Sequence, residues 1–146
     1  MSLEVKVDYQ DCVKFGVTAR SHHIVCDQPP ENGGADAGMT PPELMLAALG
    51  TCVAYYAVEY LRARHLQTEG LAIHVSAEKV LKPARLDGFK IVVEAPGIDD
   101  ERHREGLLRA AKGCLIHNTL LHAPRVDVEI QNLGTTVEGV QPAARH

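Results

Sequence analysis

Residues 44–58 contain no charged side chain. They read as the middle of a helix with no polar face to turn toward water, and a helix apolar all round has to be buried all round. The run falls short of the roughly 18 apolar residues that nominate a membrane span, so it is expected to be a core helix. A chain of 146 residues has room for one hydrophobic core. One small sheet can cover only one side of such a helix, so a second copy of the chain is expected to cover the rest. Burial alone thus predicts a homodimer.

The helix has a visible start. Thr40-Pro41-Pro42-Glu43 reads as a capping box, in which the Thr side chain caps, proline is tolerated in the first turn, and Glu43 reaches back to the cap amide. The helix is predicted to run to about Arg64, with Gly50 as its weak point. Before it, Leu3, Val5, Val7 and Tyr9 alternate with charged residues, as a strand with one buried face does. Val13, Phe15 and Val17 predict a second strand and residues 22–26 a third, followed by a Gly- and Pro-rich loop over 27–40. After it, Leu71, Ile73, Val75 and Ala77, then Phe89, Ile91, Val93 and Ala95, predict an antiparallel hairpin turning at 83–88. Asp99 or Asp100 is expected to cap a second helix to about Lys112. Gly113 should interrupt it, residues 114–121 should resume it, and Val126, Val128 and Ile130 read as a last strand. No regular strand–helix–strand alternation is present, so the class is α+β with antiparallel sheet. The expected organisation is one domain over 1–133 and a tail over 134–146.

Charge narrows the function. With 15 basic and 19 acidic residues and no basic patch, nucleic-acid binding gains no support. The N-terminal segment lacks the pattern of an export signal, so a cytoplasmic location is expected. No cofactor is implied, and no membrane partner. The four cysteines, at 12, 26, 52 and 114, form neither a CxxC pair nor a zinc spacing, and in a reducing cytosol a disulfide among them would be catalytic or regulatory. His117 and His122 follow Cys114 without a zinc motif, so no metal is expected.

On helical spacing Met45, Ala48, Leu49, Tyr55, Tyr56 and Glu59 share the face of Cys52, which therefore sees an apolar wall with phenols nearby. Taken alone, Cys52 reads equally as a small buried hydrophobe. Cys114 follows Gly113 at a helix start, where unpaired amides favour a thiolate. Cys12 and Cys26 fall in predicted strands and read as packing or edge residues.

The segment Pro41-Pro42-Glu43-Leu44-Met45-Leu46-Ala47-Ala48-Leu49-Gly50-Thr51-Cys52 resembles the Pro-x-Glu-Leu…Ala-Ala-Leu-Gly-x-Cys signature of the OsmC/Ohr family. Gly113-Cys114-Leu115-Ile116-His117-Asn118-Thr119-Leu120 is similar to that family's second cysteine motif. The resemblance implies an OsmC-like fold, with antiparallel sheets wrapped around two central helices in an intertwined homodimer. It implies that Cys52 attacks an organic hydroperoxide and becomes a sulfenic acid, that Cys114 condenses with it to a disulfide, and that a dithiol reductant reopens the bond. A thiol in an apolar pocket needs a cation to offset desolvation. In the hydroperoxide-resistance branch an Arg of the N-terminal sheet plays that part, held by a Glu, and Arg20 is the candidate here. The sequence departs from that branch in having Pro42 at the position of this Glu and the carboxylate one residue later, at Glu43. Leu115 stands where the family often has Pro. These differences resemble the less characterised OsmC-like branches. The expected catalytic set is Cys52, Cys114, Arg20 and Glu43, with Met45, Leu49, Tyr55, Tyr56 and Glu59 around the substrate. The alternatives are a non-catalytic, stress-associated dimer binding a small apolar ligand, and a thiol redox sensor.

Overall fold

A computed structural model describes residues 1–133; the tail expected over 134–146 lies outside the described residues. Three strands open the chain as an antiparallel meander, β1 (Lys6–Asp11), β2 (Lys14–Ala19) and β3 (His22–Cys26), in the order β1-β2-β3. Val7 pairs with Val17 and Val17 with Ile24, while Tyr9 pairs with Phe15, their rings meeting edge-on at 6.1 Å. The alternation in β1 predicted a buried face, and within the protomer that face is open: Val7 is 58% and Tyr9 68% exposed. The strand also starts at Lys6, leaving Leu3 and Val5 outside the ladder and exposed.

The loop after β3 is tied around one side chain. Asp27 is 1% exposed, and its carboxylate accepts from the main-chain amides of Gln28 (2.8 Å), Ala35 (3.1 Å) and Ala37 (3.0 Å). The loop then returns to β3 through a parallel bridge between Cys26 and Met39, directly before the first long helix. That helix, α1, is Pro41–Ala63. Its capping differs from the expected box. The Thr40 hydroxyl donates to Glu43 Oε1 at 2.7 Å, and no side chain caps the backbone. Pro41 and Pro42 carry no N–H, so two of the orphan donors that a capping side chain would serve are absent.

The hairpin comprises β4 (Ala72–Val80) and β5 (Arg85–Glu94). It turns at residues 81–84, beginning and ending earlier than the predicted 83–88, and Gly88 belongs to a bulge instead of the turn. Ser76 pairs with Lys90 and Glu78 with Asp87, leaving one extra residue on β5. Gly88, at φ +60°, supplies the left-handed backbone such a bulge needs. Two helices follow, α2 (Glu101–Lys112) and α3 (Leu115–Leu121). Asp100 caps α2 by accepting from His103 N at 2.7 Å, as the sequence predicts.

α1 crosses the hairpin and packs on α2 and α3. Its buried residues, Leu49, Gly50, Val53, Ala57 and Leu61, form one stripe at helical spacing. Burial of Leu49 and Leu61 contributes about 1.5–3 kcal/mol each. At Gly50 a Cβ would stand 3.1 Å from Val75, so glycine lets α1 approach β4 closely. The rest of α1 is not buried within the protomer: Met45 is 41% and Tyr55 62% exposed. Complete burial, predicted for the middle of the helix, is therefore not achieved by one chain. The full helix also reaches a length and mean hydropathy, 1.5 over its best 18 residues, that could cross a bilayer. This exceeds what the uncharged run alone indicated. Sheet β1–β3 makes no substantial packing contact with α1 or the hairpin among the described residues. The last predicted strand does not form: residues 122–133 join no ladder, and Val126, Val128 and Ile130 are 76%, 86% and 93% exposed.

Candidate active site

Two cysteines far apart in sequence meet on the inner side of α1. Cys52 precedes the buried Val53 at the edge of the stripe and is half-buried. Cys114 is placed by the break between α2 and α3. Gly113 closes α2, and Cys114, now extended, becomes the N-cap of α3, with its Sγ accepting from His117 N at 3.5 Å. Cys114 is fully buried with Leu49, Val53 and Ala111, and Cys52 packs against this cluster. The two thiols interact, and both are free.

Burial pushes the Cys114 thiol above its ordinary range, and the contact with Cys52 adds to this, against the main-chain amides of His117 and Ile116, which favour the thiolate. The helix start was expected to favour a thiolate at Cys114. Desolvation outweighs it, and Cys114 is a protonated thiol at neutral pH. An accessible thiol thus sits beside a buried, protonated one. Such a pair can form and break a disulfide without a metal; among the described residues no cluster of metal-ligating side chains occurs.

A cavity of about 840 Å³ opens between β5 and helices α2 and α3. Met45 and Leu49, both expected near the substrate, line it together with Phe89, Leu108 and Leu120, and Arg85, Asp87, Lys112 and His117 supply its polar groups. Neither cysteine lines it, although Leu49 and Ala111 belong both to its wall and to the cluster around Cys114. Tyr55, Tyr56 and Glu59 do not line it. Tyr56 packs against the Cys114 cluster and borders a shallower depression with Leu115 and His122, Tyr55 stacks edge-on against Tyr56 at 5.4 Å, and Glu59 is exposed.

Arg20 stands at the β2–β3 turn with φ +54°, exposed, and makes no ion pair among the described residues. Glu43 is exposed and bonded to Thr40. Within one protomer the structure brings together Cys52 and Cys114, and it leaves Arg20 on a sheet that makes no substantial contact with α1 among the described residues. Cys12, placed in a strand by the sequence, occupies the β1–β2 turn at φ +46°. Its thiol donates to Asp11 at 3.4 Å, and this bond is the main cause of its raised pKa.

Two features escaped sequence reasoning. Asp27 looked like an ordinary loop acid; the sequence signal that could have marked it is the Gly- and Pro-rich stretch after it, which needs an acceptor for its free amides. The amides of Ala37 and then Gln28 hold its carboxyl below the ordinary range, against its burial, with Ala35 and Lys14 adding to them. His117 enters the sequence reading as a rejected metal ligand and as part of the second cysteine motif, with no role of its own. Its main-chain N–H serves Cys114, the residue lines the cavity, and its Nδ1 is buried without a hydrogen-bond partner among the described residues.

The family described as OsmC-like protein matches residues 33–129. Solved structures with the same fold include an OsmC-like protein from Mycoplasma pneumoniae, 18% identical, covering 84% of this chain and 89% of its own, with a TM-score of 0.73. An organic hydroperoxide resistance protein from Elizabethkingia anophelis is 15% identical over 84% and 90%, with a TM-score of 0.63. The organic hydroperoxide resistance protein of Bacillus subtilis is 17% identical over 84% and 93%, with a TM-score of 0.59. At these identities the likeness concerns the fold. No curated protein matches the chain in sequence.

Proposed function

The chain belongs to the OsmC-like protein family, and from that membership we propose that it is a cysteine-based peroxidase reducing organic hydroperoxides in the cytoplasm. Relatives of the same fold that carry the name organic hydroperoxide resistance support a role in redox stress. The observation that carries the finer reading is the meeting of Cys52 and Cys114. Cys52, the accessible member, is the nucleophile: its thiolate attacks the O–O bond, releasing an alkoxide that is protonated to the alcohol and leaving a sulfenic acid on Cys52. Cys114 then displaces the sulfenic oxygen as water and forms the disulfide, which a dithiol reductant returns to two thiols. The apolar wall that includes Met45 and Leu49 suits an alkyl group better than hydrogen peroxide.

A homodimer completes this reading. The open faces of β1–β3, the outer side of α1 and the unpaired segment 126–130 are surfaces that a second copy would cover. The same copy would bring an Arg20 toward Cys52 and supply the cation that a thiolate in an apolar site requires. Glu43 would orient that Arg20 by leaving Thr40, and Tyr55, Tyr56 and Glu59 would border the shared site. Residues 1–133 act as one domain in this arrangement.

Single-turnover oxidation by cumene hydroperoxide and by hydrogen peroxide, with mass mapping of the cysteines, tests the proposal. Rapid formation of a Cys52–Cys114 bond with the alkyl peroxide is expected; slow or scattered oxidation overturns it. One observation favours a second reading, a dimer that binds a small apolar ligand without turnover: the large cavity is lined by neither cysteine. In that case Cys52→Ser abolishes nothing and ligand affinity survives it.

A further inference from the structure

Disulfide formation requires Cys114 to lose a proton in the least favourable place for a thiolate. Cys114 is 0% exposed, in an apolar cluster with Leu49, Val53 and Ala111. The amides of His117 and Ile116 stabilise the sulfur but cannot accept its proton. Glu43 is occupied by Thr40 at the far end of α1, and Glu59 is exposed. The nearest imidazole along the chain is in the first turn of the short helix that Cys114 caps.

His117 is joined to Cys114 through the 3.5 Å bond from its own main-chain nitrogen to Sγ. Its Nδ1, only a few bonds from that nitrogen, is buried and has no hydrogen-bond partner among the described residues. Leaving a buried polar atom unpaired costs about 1–3 kcal/mol, so an orphan of this kind calls for an explanation. His117 also lines the 840 Å³ cavity. A neutral imidazole carries one acceptor and one donor nitrogen, which is what taking a proton from a buried thiol and returning it to a leaving group requires.

We infer that His117 is the proton acceptor for Cys114 in the resolving step. The inference rests on the pairing of Cys52 and Cys114 in the function proposed above. A turn of the imidazole within its pocket brings Nδ1 to the thiol proton. The Cys114 S–H bond breaks, the proton passes to Nδ1, and the sulfur's electron pair forms the S–S bond to Cys52. The Cys52 S–O bond breaks at the same time, and the departing hydroxide takes a proton back from the imidazolium and leaves as water. The imidazole ends neutral, and no outside oxidant or reductant takes part.

The test uses a step that does not depend on peroxide. In the Cys12→Ser protein, an aromatic disulfide reagent (5,5′-dithiobis-2-nitrobenzoate) places a thionitrobenzoate group on Cys52 and releases one coloured anion. Attack by Cys114 then releases a second. His117→Gln is expected to leave the first phase unchanged and slow the second about 10²-fold, the usual contribution of a positioned base. Added imidazole should restore the second phase in His117→Ala, a rescue that a merely structural role would not show. A second phase at the parental rate in His117→Gln overturns the inference, as does a slowed phase that imidazole fails to restore. If both phases behave as expected while cumene hydroperoxide leaves no sulfenic acid on Cys52, the peroxidase reading falls and the role of His117 stands.

Discussion

Replacing Cys114 by serine separates the two oxidation steps, and the structure sets the stability the variant should retain. The side chain is 0% exposed. A hydroxyl there can still accept from the amides of His117 and Ile116, while its proton, like that of the thiol it replaces, faces the weakly accepting Cys52 sulfur. A buried donor left without a good acceptor costs about 1–3 kcal/mol. Oxygen is also smaller than sulfur, and the gap beside Leu49, Val53 and Ala111 adds a little at about 24 cal/mol per Å³. Cys114→Ser should therefore lower the unfolding free energy by about 1–3 kcal/mol, a minor part of the roughly 5–15 kcal/mol of an ordinary domain. The protein stays folded and assayable. Urea titration of the reduced proteins measures the first quantity, and an unchanged midpoint would contradict the burial argument. Mass spectrometry after cumene hydroperoxide measures the second: Cys52 is oxidised as fast as in the parent and then proceeds to sulfinic and sulfonic acids. Undiminished disulfide formation in Cys114→Ser would refute Cys114 as the resolving residue.

Other perturbations follow from the packing. A methyl group at Gly106 would meet the hydroxyl and ring of Tyr60, which is bonded to His103 Nδ1 at 3.1 Å and stacked under Arg64 at 3.8 Å. The helical gain of Gly106→Ala, about 1 kcal/mol, is outweighed by a lost hydrogen bond of about 1 kcal/mol and overpacking of about 1–3 kcal/mol. The variant should lose about 1–3 kcal/mol, whereas in a Tyr60→Ala background the same change should be neutral or stabilising; equal urea midpoint shifts in both backgrounds would clear Tyr60 as the obstacle. Asp27 binds its proton less readily folded than unfolded, so its contribution is complete above the unfolded value of about 4 and fades as pH falls through the lower native value. The stability gap between the parent and Asp27→Asn should accordingly shrink below about pH 4, and a gap independent of pH would show that the amides do not select the carboxylate. Equilibrium sedimentation should give a dimer, with Val7→Asp weakening it; a stable, well-folded parental monomer would remove the shared site.

Local chemistry was legible in the sequence and distant pairing was not. Thr40 before two prolines, Asp100 before α2 and Gly113 after it marked helix boundaries because each signal acts within a turn of its own position: the prolines suit a first turn, Asp100 accepts from His103 N, and Gly113 N donates to the carbonyls of Arg109 and Ala110. The capping box was misread in detail because the prolines that made it recognisable also removed the donors it would have served. Gly88 reads as the end of the hairpin turn, but a turn and a bulge make the same local demand for positive φ, and only the pairing of Glu78 with Asp87 tells them apart. Val126, Val128 and Ile130 alternate as strand residues do, yet a strand also needs a partner, and among the described residues they pair with none of the open edges of the two sheets. The contact between Cys52 and Cys114 is of the same kind. Each cysteine could be placed on its helix from spacing, while their meeting depends on how α3 folds back on α1.

The knot around Asp27 has a mechanical consequence. It binds both ends of a surface loop, and the Cys26–Met39 bridge fastens the end of β3 to the residue before the cap of α1. The joint between the N-terminal meander and the long helix is therefore a stiff elbow, and the meander is cantilevered from α1 like a bracket. Whatever the β2–β3 turn carries, Arg20 included, has its reach set by the angle of that elbow. A substitution at a loop acid remote from any sulfur could thus re-aim the far end of the arm.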